Sequence, residues 1–231
     1  MVATPIGNLE DITYRAVKVL SSVDVIACED TRHTQQLLSH YGIKKRLIAC
    51  HAHNEKESAK GILELLDSGM NVAYCSDAGT PGVSDPGARL VEAVREDGNH
   101  RVVPIPGASA FVSLVSVAGN IGKSFTFEGF LSPKKGRRTK RLEELFAAGN
   151  AFIIYESPFR VLKTLEDIRN VSSRCRIIAG RELTKTFEEI LSGSPDEIIA
   201  ALNAKDKIKG EFAIIVVPEV DDDNTEEDPE S

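Results

Sequence analysis

In the stretch CEDTRHT (28–34), four ionisable side chains, Glu29, Asp30, Arg32 and His33, follow directly on an apolar run. Carboxylates beside a guanidinium can accept a proton from a weak acid and stabilise the charge that develops, which makes Glu29, Asp30 and Arg32 candidates for catalysis. The same residue types also make an ordinary helix start, with Asp30 or Thr31 as N-cap and an Asp–Arg pair behind it. HAHNE (51–55) follows the next apolar run in the same way. His51 joins the candidates for proton transfer or polar substrate contact. As a metal pair, His51 and His53 lack a third ligand nearby, so no metal is expected.

A third loop, SDAGTPGVSDPG (76–87), holds two aspartates, three glycines and two prolines in twelve positions. A plain connection needs one or two such residues. Asp85 is expected as the N-cap of the following helix, with Pro86 at its first position. TPIGN (4–8), PIPGASA (104–110) and YESPFR (155–160) end other apolar runs with similar chemistry. In an open α/β sheet, ligands bind beyond the carboxyl ends of strands, where glycine permits close backbone approach. There is no GxxxxGK[ST], and no GxGxxG with a ribose-binding acid behind it. Carbonyls, small hydroxyls and the single acid Asp77 suit a neutral or cationic nucleoside better than a triphosphate.

KKGRRTKR (134–141) places six bases, Lys134, Lys135, Arg137, Arg138, Lys140 and Arg141, in eight positions with no acid among them. Contact with a phosphate backbone is the functional expectation, and a solvated helix start the ordinary one. Aromatic residues make up 6% of the chain, which disfavours a stand-alone RNA-binding module built on stacking. The net charge of −7 does not exclude an anionic partner. Eight of the 35 acids fall in the last 13 residues, EVDDDNTEEDPES, and the remainder carries 28 bases against 27 acids. That tail is too polar to fold.

These residues need elements to hold them. VDVIA (23–27), RLIAC (46–50), MNVAYC (70–75) and VVPI (102–105) read as buried strands, and Thr31–Tyr41, Glu55–Leu66 and Pro86–Glu96 as helices between them. A first strand ends at Met1–Thr4. The alternation predicts a mostly parallel sheet flanked by helices. The uncharged stretch from Val102 to Gly122 is broken by Pro104, Pro106, Gly107 and Gly119, so it reads as a strand, a turn and a core helix rather than a membrane span. A second α/β unit follows: FTFEGF (125–130), a basic helix, AFIIYES (151–157), a helix over 159–171, RCRIIAG (174–180), a helix near Asp196–Leu202 and EFAIIVV (211–217). The domain expectation is 1–119, 120–218 and a disordered tail 219–231. Cys28, Cys50, Cys75 and Cys175 sit in or beside apolar runs without a CxxC pair, as reduced thiols of a cytoplasmic protein would. No basic and apolar leader follows Met1.

VATPIGNLEDIT, CEDTRHT, HAHNE, SDAGTPGVSDPG, PIPGASA, YESPFR, RELTKTFEE (181–189) and KGE (209–211) occur in this order. Together they resemble the bacterial family of small-subunit (16S) ribosomal RNA 2′-O-ribose methyltransferases, which modify a cytidine in the decoding region and belong to the tetrapyrrole-methylase superfamily. The resemblance spans roughly residues 2 to 217. It implies two α/β domains with S-adenosylmethionine in the cleft between them, a homodimer, no metal and no nucleotide triphosphate. Carried over by motif, the cofactor would meet Pro5, Gly7, Asp77, Thr80, Ser109, Ala110, Tyr155, Glu156, Leu183 and Gly210. Longer members carry a further small domain where this chain has its acidic tail. Two other readings compete: a C-methyltransferase for a tetrapyrrole precursor, and a ribosome-assembly factor that binds the cofactor without turnover.

Overall fold

The computed structural model describes residues 1–50 and 55–219. Contacts divide the chain into two compact units, Met1–Ser113 and a second beginning at Leu114.

In the first unit, a 3-10 turn (Leu9–Asp11) and α1 (Tyr14–Ser22) lead into β1 (Val25–Cys28), α2 (Thr31–His40), β2 (Arg46–Ala49), α3 (Glu55–Asp67), β3 (Val72–Cys75) and α4 (Ala88–Asp97). The three strands run parallel in the order β2-β1-β3. The central strand β1 is buried at every position, as a parallel strand covered on both faces must be. Alternate residues serve opposite cores. Ile26, Cys28, Ala73 and Cys75 pack with Ala16, Leu20 and Leu38. Ala27 and Tyr74 pack with Ala59, Ile62, Leu90 and Val94 on the other side. All four cysteines are buried and free, and burial pushes the Cys75 thiol up to about 12.

Two expectations need correction here. The run 102–105 is not a strand. Only Ile105 forms a bridge, to Val2, because Pro104 and Pro106 have no N–H to extend a ladder. The helix after the third loop starts at Ala88, and its N-cap is Gly87 rather than Asp85. Gly87 has φ 121°, and a Cβ there would lie 2.9 Å from both the Met1 Cε and the Tyr74 ring. The chain turns through this glycine before any helix can begin.

A short helix α5 (Ala110–Val117) crosses the division between the units. It buries only Leu114, so the core helix expected here is largely a surface one. Beyond it lie β4 (Phe125–Phe130), α6 (Lys135–Ala147), β5 (Ala151–Glu156), α7 (Val161–Val171), β6 (Cys175–Arg181), β7 (Glu189–Gly193), α8 (Pro195–Asn203) and β8 (Phe212–Pro218). The sheet order is β4-β5-β8-β6-β7, with β4 and β5 parallel and the other neighbours antiparallel. Leu142, Leu145, Leu165, Ile168, Ile198 and Leu202 from the three long helices cover Phe152, Ile154, Ile177, Ile214 and Val216 on one face. Ser194 and Glu197 close a capping box at the start of α8. Among the described residues no helix is long and apolar enough to cross a membrane.

Replacing Gly87 with alanine is expected to cost about 1–3 kcal/mol, because the new Cβ meets both the strained backbone and the Tyr74 ring. Urea unfolding of the variant measures it, and unchanged stability would contradict this account of the turn.

Candidate active site

Because β1, β2 and β3 are parallel, the segments after Cys28, Ala49 and Cys75 leave one edge of the sheet. The amino-terminal residues run in beside β3, held by Val2 N–H on the Tyr74 carbonyl at 2.8 Å and Ala3 N–H on the Ile105 carbonyl at 3.1 Å. Thr4 and Gly79 then exchange backbone hydrogen bonds at 2.9 and 3.1 Å, which joins TPIGN to SDAGTPG. The Thr80 hydroxyl donates to the Ala108 carbonyl at 3.1 Å and joins SDAGTPG to PIPGASA. These approaches need glycine. A Cβ on Gly107 would lie 2.9 Å from the Ala3 Cβ, and one on Gly79, at φ 79°, 3.1 Å from Ile6 Cγ2. Three of the expected loops therefore form one wall. Within it Pro5 is buried, Gly7 is exposed, and Ser109 and Ala110 are half-buried at the start of α5.

Asp77 and Asp30 are linked in this wall. One Asp77 carboxylate oxygen accepts the Asp30 N–H at 3.0 Å, and its other oxygen has no partner among the described residues. Beside it the Ser76 hydroxyl is fully buried and has no partner among the described residues. Asp30 itself caps α2, accepting the Arg32 N–H at 2.7 Å and the His33 N–H at 3.4 Å. The bond from Arg32 is the main cause that holds the Asp30 carboxyl below its ordinary pKa. Asp30 fixes the start of α2 through one carboxylate oxygen, Arg32 stands exposed in the first turn of that helix, and Glu29 is half-buried. His51 lies outside the described residues.

The remaining assigned residues belong to the second unit. On β5, Tyr155 is flanked edge-on by Phe127 and Phe130, with ring centroids 5.2 and 5.7 Å away. Glu156 was expected to face the cofactor. Its side chain is instead buried and engaged locally, accepting from Thr164 Oγ1 at 2.7 Å and Ser157 N–H at 2.8 Å, with Arg160 at 3.1 Å. It braces the YESPFR turn. RELTK and KGE meet through Glu182, which accepts from Lys185 Nζ at 2.8 Å and from the Glu211 N–H at 3.0 Å. Gly210 is required there, since its Cβ would fall 2.2 Å from Glu182 Cγ. Leu183 is buried against Gly180, between two non-glycine residues of positive φ, Glu182 and Thr184. Such strain collects at functional turns.

The basic segment divides in two. Arg138 is buried, with Nε 2.7 Å from Asp167 Oδ2 and Nη1 on the carbonyls of Ser132 and Pro133, so it is corrected from RNA contact to structural anchor. Its spacing from Leu142 and Leu145, one face of a helix, is the sequence signal for that role. Arg141 is clamped by Glu128 at 2.9 and 2.7 Å and by Glu144 at 2.9 Å. Lys134, Lys135, Arg137 and Lys140 are exposed and make no ion pair among the described residues.

Two other features lie away from this wall. A cavity of about 540 Å³ opens at the amino ends of the strands, lined by Met1, Arg15, Val23, Asn71, Val72 and Val102 among others. His100 pairs with Asp67 at 2.8 Å and lies 3.8 Å from Asp97, an exposed cluster at the ends of α3 and α4.

The family described as Tetrapyrrole (Corrin/Porphyrin) Methylases matches residues 1–199. A protein of Borrelia garinii subsp. bavariensis named ribosomal RNA small subunit methyltransferase I is 50% identical over 94% of this chain and 96% of its own length. Proteins of the same name from Neisseria meningitidis serogroup B and Bacillus subtilis are 47% and 43% identical, over 96% and 94% of this chain and 76% and 73% of theirs. Among solved structures, the cobalamin biosynthetic enzyme cobalt precorrin-4 methyltransferase superposes with a TM-score of 0.67 at 16% identity, covering 94% of this chain and 92% of that one. The methyltransferase CobJ gives 0.67 at 18%, covering 92% and 90%. At such identities the likeness shows the fold alone.

Arg138→Ala is expected to cost about 3–5 kcal/mol by stranding the buried Asp167 carboxylate, whereas Lys135→Ala stays within about 0.5 kcal/mol of the parent. Equal stabilities in denaturant titrations would contradict the division of the basic segment.

Proposed function

The chain belongs to the tetrapyrrole methylase family, and from that premise we propose that it methylates the 2′-oxygen of a cytidine ribose in the decoding region of 16S ribosomal RNA, using S-adenosylmethionine. The observation that carries this reading is the identity of 43–50%, over most of the chain, to proteins named for small-subunit ribosomal RNA methylation. The likeness to two solved tetrapyrrole enzymes, at 16% and 18% identity, speaks for the fold alone. Four exposed cations on and just before α6 support a polyanionic substrate. The reading includes a homodimer acting in the cytoplasm.

The donor set of the loop wall fits the cofactor. Asp77 offers a carboxylate oxygen with no partner among the described residues, complementary to a cationic ammonium or sulfonium. The buried Ser76 hydroxyl is a polar group in need of a partner. Gly79 and Gly107 bring backbone carbonyls and amides close enough to hold a nucleoside without phosphate contacts. Pro5, Gly7, Thr80, Ser109 and Ala110 are assigned to the same wall. Tyr155, Leu183 and Gly210 are the second unit's contribution, and Glu156 acts on it indirectly by fixing the turn after Tyr155.

S-adenosylmethionine supplies a methyl group already activated on a sulfonium. The chain's task is to hold the ribose hydroxyl in line with it and to exclude water. A ribose hydroxyl is a weak acid, so its proton needs an acceptor as the oxygen attacks. That role falls to Asp30, through the carboxylate oxygen its cap leaves over, to Glu29 or to His51. Arg32, standing at the start of α2, stabilises the developing negative charge.

The test is transfer of labelled methyl from S-adenosylmethionine to small subunits, naked ribosomal RNA and a tetrapyrrole precursor, followed by nucleoside analysis. Label in a 2′-O-methylcytidine of the small-subunit RNA is expected. Label in a tetrapyrrole alone, or cofactor binding with no transfer to any acceptor, would overturn the proposal.

A further inference from the structure

The ends of β4 and β5 carry two features that the methyl-transfer reading has not used. Phe159 is 93% exposed and Phe130 is 59% exposed. A phenylalanine left in water forgoes its burial, and here two lie at or just beyond neighbouring strand ends. β4 and β5 are parallel neighbours, so the segments after Phe130 and after Glu156 leave the same edge. They are also tied directly: Arg160, next to Phe159, donates through Nη2 to the carbonyl of Leu131, next to Phe130, at 2.8 Å.

The rings are presented rigidly. Arg160 is held by the buried Glu156, and its own N–H and that of Val161 return to the Ser157 carbonyl at 3.1 and 3.0 Å. Pro158 fixes the backbone immediately before Phe159. In β4 the register shifts between Phe127 and Gly129, so that Phe127 lies opposite Ile153 and Phe130 opposite Tyr155. Those partners are two residues apart, and the bulge therefore puts both phenylalanines on one face, either side of the Tyr155 ring. The loop from Phe130 then runs within four residues to Lys134 and Lys135, exposed and without an ion pair among the described residues.

We propose that this edge is a platform for single-stranded RNA, on which Phe159 and Phe130 stack with unpaired bases while Lys134 and Lys135 hold the adjoining phosphates. The proposal rests on the RNA reading above and specifies the form of the substrate. Aromatic faces interleaved with cations are the arrangement that binds single strands, because every unpaired base offers a face and a duplex hides them. A second copy of this chain fits less well: a two-fold contact through this edge would bring like cations together.

Fluorescence anisotropy of the full chain with a short unstructured oligoribonucleotide and with a hairpin duplex tests the platform. The parent is expected to prefer the single strand. Phe159→Ala is expected to weaken single-strand binding about tenfold and duplex binding much less, with Phe159→Trp restoring it. Lys134→Ala is expected to lower the salt dependence by about one counterion. Unchanged affinity in Phe159→Ala, an equal loss on both RNAs, or loss of an oligomer with RNA affinity per protomer intact would overturn the platform. Should the parent methylate small-subunit RNA while Phe159→Ala binds single strands normally, this inference fails and the methyl-transfer reading stands. Should the parent methylate no RNA, the methyl-transfer reading fails, and the Phe159 comparison still decides the platform.

Discussion

The paired backbone hydrogen bonds between Thr4 and Gly79 decide whether the first unit has a site at all. They close the amino-terminal residues onto the loop after β3, and Thr80 extends the closure to PIPGASA. Without them the three loops would have no backbone tie to one another, among the described residues, beyond the Val2–Ile105 bridge. Close approach is the constraint behind the composition. Gly79 and Gly107 sit where a methyl group would collide with a neighbouring chain, which explains why these turns are so rich in small residues. The wall leaves Asp77 with an oxygen to offer and Ser76 with a hydroxyl in need of a partner. Both are properties of a binding surface rather than of a simple turn.

The charged groups of the second unit show the opposite economy. Glu156 and Arg138 look like site residues in a sequence, yet each is engaged in holding a turn or a helix in place, as Glu182 is between RELTK and KGE. Their contribution is rigidity. Glu156 keeps Arg160 in position, and Arg160 keeps two strand ends together. Burying a charge is tolerable only when it is paired, and the buried Glu156 and Arg138 find their partners on the segments they hold, Thr164 with Arg160 and Asp167.

Much of this was legible in the sequence because each strand ended in a distinctive polar turn. β1 to β6 and β8 match the segments that predicted them to within two residues at either end. The failures have local causes. VKVL in α1 runs almost directly into VDVIA, so its helical period is hidden in one long apolar stretch. β7, EILSG, is a half-exposed edge strand that follows a charged turn and pairs only with β6. Residues 102–105 have the composition of a strand, but two prolines deny it a ladder. At the site, residue types were readable and partners were not. CEDTRHT offered Asp30 as a helix cap, but nothing in it says that Asp77, forty-seven positions on, holds the Asp30 amide. For Arg138 the signal existed in its spacing from Leu142 and Leu145, and the density of charge around it masked that signal.

The central claim is that the Asp77 carboxylate faces the cofactor while its other oxygen holds the loop. Asp77→Asn separates these roles, since the amide oxygen can still accept the Asp30 N–H but the charge is gone. Calorimetric titration with S-adenosylmethionine is the direct measurement. The account predicts an affinity roughly tenfold or more below the parent's, as for loss of a charged hydrogen bond of about 1.5–3 kcal/mol, with thermal stability nearly unchanged. Parental affinity in this variant would contradict it.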